Sequence, residues 1–385
     1  MVFAALGLRH GDVKTSLHNM LLIWGRSRFL LLVALFIGFI SCYGGFHIPY
    51  HPEILKMPWG YFTVLFTLSA LAVFCVSFLS KNSDLVNFIW YFCFGALLFC
   101  LFTVGITALI AKPPFYGRVM DIRYLILGST QYINTPGIAN LLCLFPIVFL
   151  SGLILNLNQR PRWFWPIGII GFILSLIAAL TIGQRSYFVA CFVITPVIVS
   201  IFLLLLRAWR LSLILISLLA VYPVLLSIDK LMDINLLYRP VKSSMLNDSR
   251  FQMLQFWIDR FLANPFQRID VGPAPWDVYP WFHNFFADIH RLSGFWALLT
   301  AVILVAYIFY RVLCVISKER RVGLFLMAVA IPNFLIMNTS VVPEGERQPF
   351  LLLLAIGAIS EVILANLKRA SSTKPHYDPL NSNPK

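Results

Sequence analysis

Charge is what this sequence has least of. Only 12% of its 385 residues are Asp, Glu, Lys or Arg, and just 16 are acidic, where a soluble domain carries about 25% charged residues. A surface so poor in charge excludes an ordinary water-soluble fold. A cysteine framework is also missing. Cys42, Cys75, Cys93, Cys100, Cys143, Cys191 and Cys314 fall inside or at the edges of apolar runs, without metal-ligand spacing, and read as small core hydrophobes. The first apolar run is followed by no small-residue cleavage site, so it reads as a retained helix, not a signal peptide. No repeat relates the two halves. The acids Asp270, Asp277 and Asp288 lack the paired spacing of a divalent site, so neither a metal nor a cofactor is expected.

What is present is apolar: 59% of residues are hydrophobic and the mean hydropathy is +0.82. Runs such as 29–46 and 211–226 approach the length an α-helix needs to cross a hydrocarbon core of about 30 Å. In lipid such runs must be helical, because an open strand leaves backbone groups unpaired. The pattern predicts an all-α integral membrane protein. About ten spans are expected, centred near residues 38, 70, 98, 145, 174, 197, 219, 302, 331 and 357. The chain divides into an N-terminal segment 1–28, transmembrane helices over 29–227, a long loop over 228–291, three further helices over 292–366 and a disordered tail over 367–385.

The formal net charge of +14 would suit nucleic acid, but the cations are scattered through short connections, and orientation explains them better. No nucleic-acid partner is expected. Arg9, Lys14, Arg26 and Arg28 precede the first span. Alternate connections then carry Lys81, Arg160 and Arg162, Arg207 and Arg210, a group from Arg311 to Arg321, and Lys368 onward. By the positive-inside rule this side and both termini are cytoplasmic. The long loop then lies outside, as do Arg185 and the segment from Glu344 to Arg347.

Within the loop, residues 248–263 have helical spacing, with Phe251, Leu254, Trp257 and Phe261 on one side. Asn247 or Asp248 can cap its start, and Asn264 with Pro265 can stop it. Such a helix is expected to rest its aromatic side on the membrane interface and to hold Arg250 on its first turn.

Arg185, Arg250 and Arg347 come from three separate outer segments, each beside apolar sequence where a lone cation is costly. A guanidinium fork suits phosphate oxygens, so three converging arginines can bind a pyrophosphate. Taken singly, each can equally anchor a span end by snorkelling. His283, followed by Asn284, precedes span eight and titrates where a general base is useful; alternatively it is an interfacial His bonded to a loop carbonyl. His290 is assigned a structural role. Glu344 or Glu346 can orient His283, act as the base, or pair with the arginines. Glu361, the one acid inside an apolar run, is expected to snorkel or pair locally near Lys368 and Arg369.

Four places together resemble the O-antigen ligase and polymerase superfamily of bacterial inner-membrane glycosyltransferases. They are Thr181 to Ser186 around Arg185; Ser249 and Arg250 with Trp257 and Asn264 to Phe266; His283 and Asn284 followed after nine residues by Gly294; and Glu344 to Arg347. The resemblance covers residues 166–366. It implies a periplasmic active site and an undecaprenyl-pyrophosphate-linked glycan donor. The acceptor is lipid A-core for a ligase, or another lipid-linked glycan for a polymerase. It assigns catalysis to His283, Arg250 and Arg185, and substrate binding to Arg347, Asn284, Glu344, Glu346 and Trp257. The ligase is the preferred reading. A lipid-linked sugar transporter is the alternative from another class.

Overall fold

In the computed structural model, residues 28–47, 76, 79, 82–110, 118–120, 132–155, 164–231, 249–267, 269, 282–339 and 348–372 are described. In chain order the α-helices are α1 (Arg28–His47), α2 (Asn82–Ile110), α3 (Thr135–Leu142), α4 (Leu144–Ser151), α5 (Phe164–Ile182), α6 (Arg185–Val189) and α7 (Thr195–Leu205). They continue with α8 (Trp209–Ser217), α9 (Val221–Leu231), α10 (Ser249–Ala263), α11 (Phe285–Lys318), α12 (Arg320–Thr339) and α13 (Gln348–Ser372). A short antiparallel ladder joins β1 (Arg118–Met120) to β2 (Tyr132–Asn134), with Val119 opposite Ile133.

Seven of these helical stretches are long and apolar enough to cross a membrane; Arg28–Ile40 and Trp209–Leu225 form shorter apolar ones. This is an all-α membrane protein. Nine of the ten expected span centres fall on helices, and the tenth, near residue 70, lies outside the described residues. Helix α11 starts at Phe285, within the segment read as loop, and α13 continues to Ser372, past the expected start of the tail at 367.

The core is built around α11. Helix α1 runs antiparallel to it, with Phe29 stacked near Tyr307 (6.5 Å) and Phe39 near Trp296 (6.4 Å). Gly357 of α13 permits close packing here, because a Cβ at that position would stand 2.7 Å from the Phe29 ring and 2.9 Å from Ile308. Arg311, expected from sequence in a connection, lies inside α11. Its guanidinium meets the Glu361 carboxylate of α13 through two nitrogens, at 2.7 and 2.8 Å, while Tyr307 donates its hydroxyl to the same carboxylate at 2.9 Å. Glu361 is therefore paired across helices, not with its neighbours in sequence, because a carboxylate among apolar side chains is best neutralised by a nearby cation.

A second set of helices packs beside this core. Trp90 of α2 stacks on Phe325 near the start of α12 (6.3 Å) and meets Phe164, the first residue of α5, edge-on at 4.9 Å. The starts of α5 and α12 thus share one end of the bundle. At about 1.5 Å per residue, the 19 residues of α5 and 20 of α12 carry both helices to the opposite end. A π-helical turn at Ala190–Ile194 sits between α6 and α7, next to Pro196, which has no backbone N–H to donate. Thr195 Oγ1 donates to the Ala190 carbonyl at 2.7 Å, beside the bond that its own backbone N–H makes to the same oxygen.

Candidate functional site

At the far end of α5, Gly183 adopts φ 62°, its N–H bonding back to the Ala179 and Leu180 carbonyls. A glycine in this left-handed conformation stops a helix without a Cβ penalty. Gln184 is extended, and Arg185 opens the next helix. Gln184 Nε2 donates to Thr135 Oγ1 at 2.7 Å, fixing the break against the first residue of α3. The Thr181 to Ser186 segment is therefore a helix, a sharp stop and a new helix, with Arg185 at the new start.

The start of α11 lies at the same end. Asn284 is its N-cap: its side-chain oxygen accepts from the Phe286 and Ala287 amides, both at 3.1 Å, while its Nδ2 donates to the Asn338 carbonyl at the end of α12 (3.0 Å). Asp288, fully buried, reaches back one turn to accept the Phe282 amide at 2.9 Å, and it pairs with Arg291 Nε at 3.0 Å. Between these clasps His283 holds φ 56°. A left-handed backbone is costly for a residue with a Cβ, about 1 kcal/mol. The bonds on either side hold it there, so the imidazole is presented from a fixed turn.

Helix α10 covers the residues expected from sequence, and it ends as expected. Asn264 Oδ1 accepts the Phe266 amide at 3.2 Å, turning the chain at Pro265. Trp257 and Phe261 pack edge-on to the His290 ring at 6.0 and 5.2 Å, and Phe261 stacks with Phe295 at 6.4 Å. Trp257 and Phe261, both partly buried, pack with Phe256 against a small cluster of Met253, Ile269, Phe282 and Ala287. A protein surface offers these rings both apolar contact and a hydrogen-bond acceptor, and lipid tails offer only the first.

His290 is the center of that joint. An indole N–H can only donate, so Trp257 Nε1 donates to His290 Nδ1 (3.2 Å), and Nε2 must carry the proton that goes to the Pro265 carbonyl at 2.8 Å. Both nitrogens of a neutral imidazole are thereby used. The structural role expected for His290 fits this arrangement, whereas Asp288 and Arg291, which hold the same turns, had no assigned role. The one sequence signal for them was an acid and a base three residues apart at the start of an apolar run.

The site residues expected from sequence thus meet the structure unevenly. His283, Asn284 and Trp257 are tied into one assembly. Arg185 and Arg250 lie at the first turns of α6 and α10. Glu344, Glu346 and Arg347 lie outside the described residues. The indole N–H of Trp257 goes to His290, and one amide N–H of Asn284 goes to Asn338. Comparison of the chain with protein-family models and with curated proteins finds no match.

Proposed function

We propose that this chain is a bacterial inner-membrane glycosyltransferase of the O-antigen ligase type. It would transfer a glycan from undecaprenyl pyrophosphate to lipid A-core on the periplasmic side. The observation that carries this reading is His283, held in a left-handed turn at the same end of the bundle as the helix start bearing Arg185. Strained backbone kept by bonds on both sides suits a group whose direction matters.

On this reading the acceptor hydroxyl attacks the anomeric carbon and the bond to the pyrophosphate oxygen breaks with inversion. The hydroxyl proton passes to His283 or is held there as the new glycosidic bond forms. Arg185 and Arg250 neutralise the departing pyrophosphate, and Arg347, with Glu344 or Glu346, supports the site. Trp257, Asn284 and His290 fix the elements that carry these groups. Both termini are cytoplasmic on this reading, and the His283 end faces the periplasm.

A polymerase joining lipid-linked repeats would use the same donor site and is the nearest alternative. One observation favours a carrier of lipid-linked sugar: Arg311 and Glu361 are ionisable groups within helices α11 and α13. Each neutralises the other, which suits a static tie between helices.

The test is gel analysis of surface lipopolysaccharide from a strain lacking this gene, complemented with the intact chain or with His283→Ala or Arg250→Ala. The ligase reading expects ladders restored by the intact chain alone, with all proteins equally abundant. A core bearing a single repeat would favour the polymerase. Unchanged ladders on deletion would remove the proposal.

A further inference from the structure

We propose that the turn between α7 and α8, together with the turn between α11 and α12, forms a binding site for anionic phospholipid at the end of the bundle opposite His283. Positive charge in short connections is ordinary in membrane proteins. Here two connections far apart in sequence are built into one surface.

Arg320 Nη2 donates to the Leu205 carbonyl at 3.1 Å, 115 residues away. Below that bond Leu203, Leu215, Leu324 and Ala328 form a shared apolar cluster, against which Leu206, Ala208 and Ile316 pack. Ser200 and Ser212 exchange hydrogen bonds with each other's carbonyls, at 3.3 and 3.2 Å, and close the α7–α8 hairpin. Gly323 lets the start of α12 press against the Ile316 backbone, where a Cβ would collide. The two turns are thus held side by side.

Their charges are of one sign. Arg207, Arg210, Lys318, Arg320 and Arg321 are all exposed, and the one acid among residues 205–212 and 316–323 is Glu319. Arg207 occupies this surface with a left-handed backbone, φ 59°, at a turn where glycine would sit without strain. Arg210 lies over the Trp209 ring at 5.5 Å, and Trp209 is 55% exposed. A Trp and an Arg together at a helix start are the pairing expected at headgroup depth.

A lipid fits better than a free anion because the cations do not stand alone. Leu204, Leu205, Leu211 and Leu213 are 40–56% exposed on the same two helices. They give an acyl chain a surface directly beside the phosphate-binding groups. Each Lys or Arg near an anionic bilayer surface strengthens association about fivefold, so several on one surface discriminate between anionic and zwitterionic headgroups. This site is independent of any transfer reaction at the other end.

The test uses the intact chain purified in a neutral detergent and titrated with phosphatidylglycerol, phosphatidylethanolamine or inorganic phosphate, read by native mass spectrometry and thermal unfolding. Phosphatidylglycerol is expected to stay bound and to raise the unfolding temperature, and the other two to do neither. The R207Q/R210Q/R320Q variant is expected to bind phosphatidylglycerol about a hundredfold more weakly. Should that variant fail to fold, a salt series on the intact chain decides, because binding must weaken as ionic strength rises. Equal retention of both lipids, insensitivity to salt, or a well-folded variant with undiminished binding would overturn the proposal. Stabilisation by inorganic phosphate alone would make this a free-anion site and overturn the assignment to lipid.

Discussion

The indole N–H of Trp257 donates to Nδ1 of His290 at 3.2 Å, joining residues 33 apart in sequence. That bond, with the one from His290 to the Pro265 carbonyl, fastens both α10 and the turn after it to α11. Trp257→Phe keeps most of the ring contact and leaves Nδ1 without its donor, at an expected cost of about 1–2 kcal/mol. His290→Phe loses both bonds and should cost more. A double-mutant cycle by thermal unfolding should give a coupling of about 1 kcal/mol; additive losses would show that the bond contributes nothing. Limited proteolysis should also show earlier cleavage around α10 in either variant.

Asn284 separates capping from tethering. Asn284→Ala loses the cap and the bond to Asn338 and should destabilise by about 1–2 kcal/mol. Asn284→Ser keeps a capping oxygen but not the donor to Asn338, so its loss should be smaller. Equal unfolding temperatures for the two would mean that the cap is not what the side chain supplies.

His283 allows stability and function to be read apart. His283→Gly relieves the left-handed backbone and should stabilise by up to about 1 kcal/mol. His283→Ala keeps the backbone strain and should not. On the proposed function both abolish glycan transfer, so a stabilised and inactive Gly variant is the expected pair of results. A Gly variant that transfers normally would take His283 out of the chemistry.

The Arg311–Glu361 pair should behave as a buried ion pair. Side-chain exposures are 23% and 11%, so removing one partner should cost toward the low end of the usual range, about 3 kcal/mol. The double change Arg311→Leu with Glu361→Leu should be far milder than either single, since neither charge is then stranded. Thermal unfolding in detergent measures the order. A tie between helices predicts that the double variant keeps its function, and a carrier that uses the pair predicts that it loses it.

Much of this fold could be read from sequence because a bilayer leaves the chain few options. An apolar stretch of span length must be helical, so the centres near 98, 174, 302 and 357 lie on helices α2, α5, α11 and α13. Polar residues inside a helix were harder. Arg311 reads as a loop cation because hydropathy cannot know that Glu361 waits on a neighbouring helix. The extent of α10 was legible from its three- and four-residue spacing, but not what its rings would meet, since His290 and Phe295 belong to another element. Likewise Asn284 stands where an N-cap would, yet its bond to Asn338 and the grip of Asp288 on Phe282 are tertiary. The left-handed turn at His283 leaves no compositional trace, because sequence favours glycine or asparagine there.

Gly294, at φ 74° and ψ −171°, interrupts the helical path of α11. The 24 residues from Phe295 to Lys318 rise about 36 Å, enough by themselves to traverse a bilayer, and the nine residues from Phe285 to Ser293, with Asp288, His290 and Arg291, form a separate mast beyond the kink. Helical screw symmetry then couples the two pieces. Inserting one residue between Phe295 and Lys318 would lift the mast about 1.5 Å and swing it by about 100°, carrying His290 away from Trp257. The aim of this end of the molecule is set by a residue count made far below it.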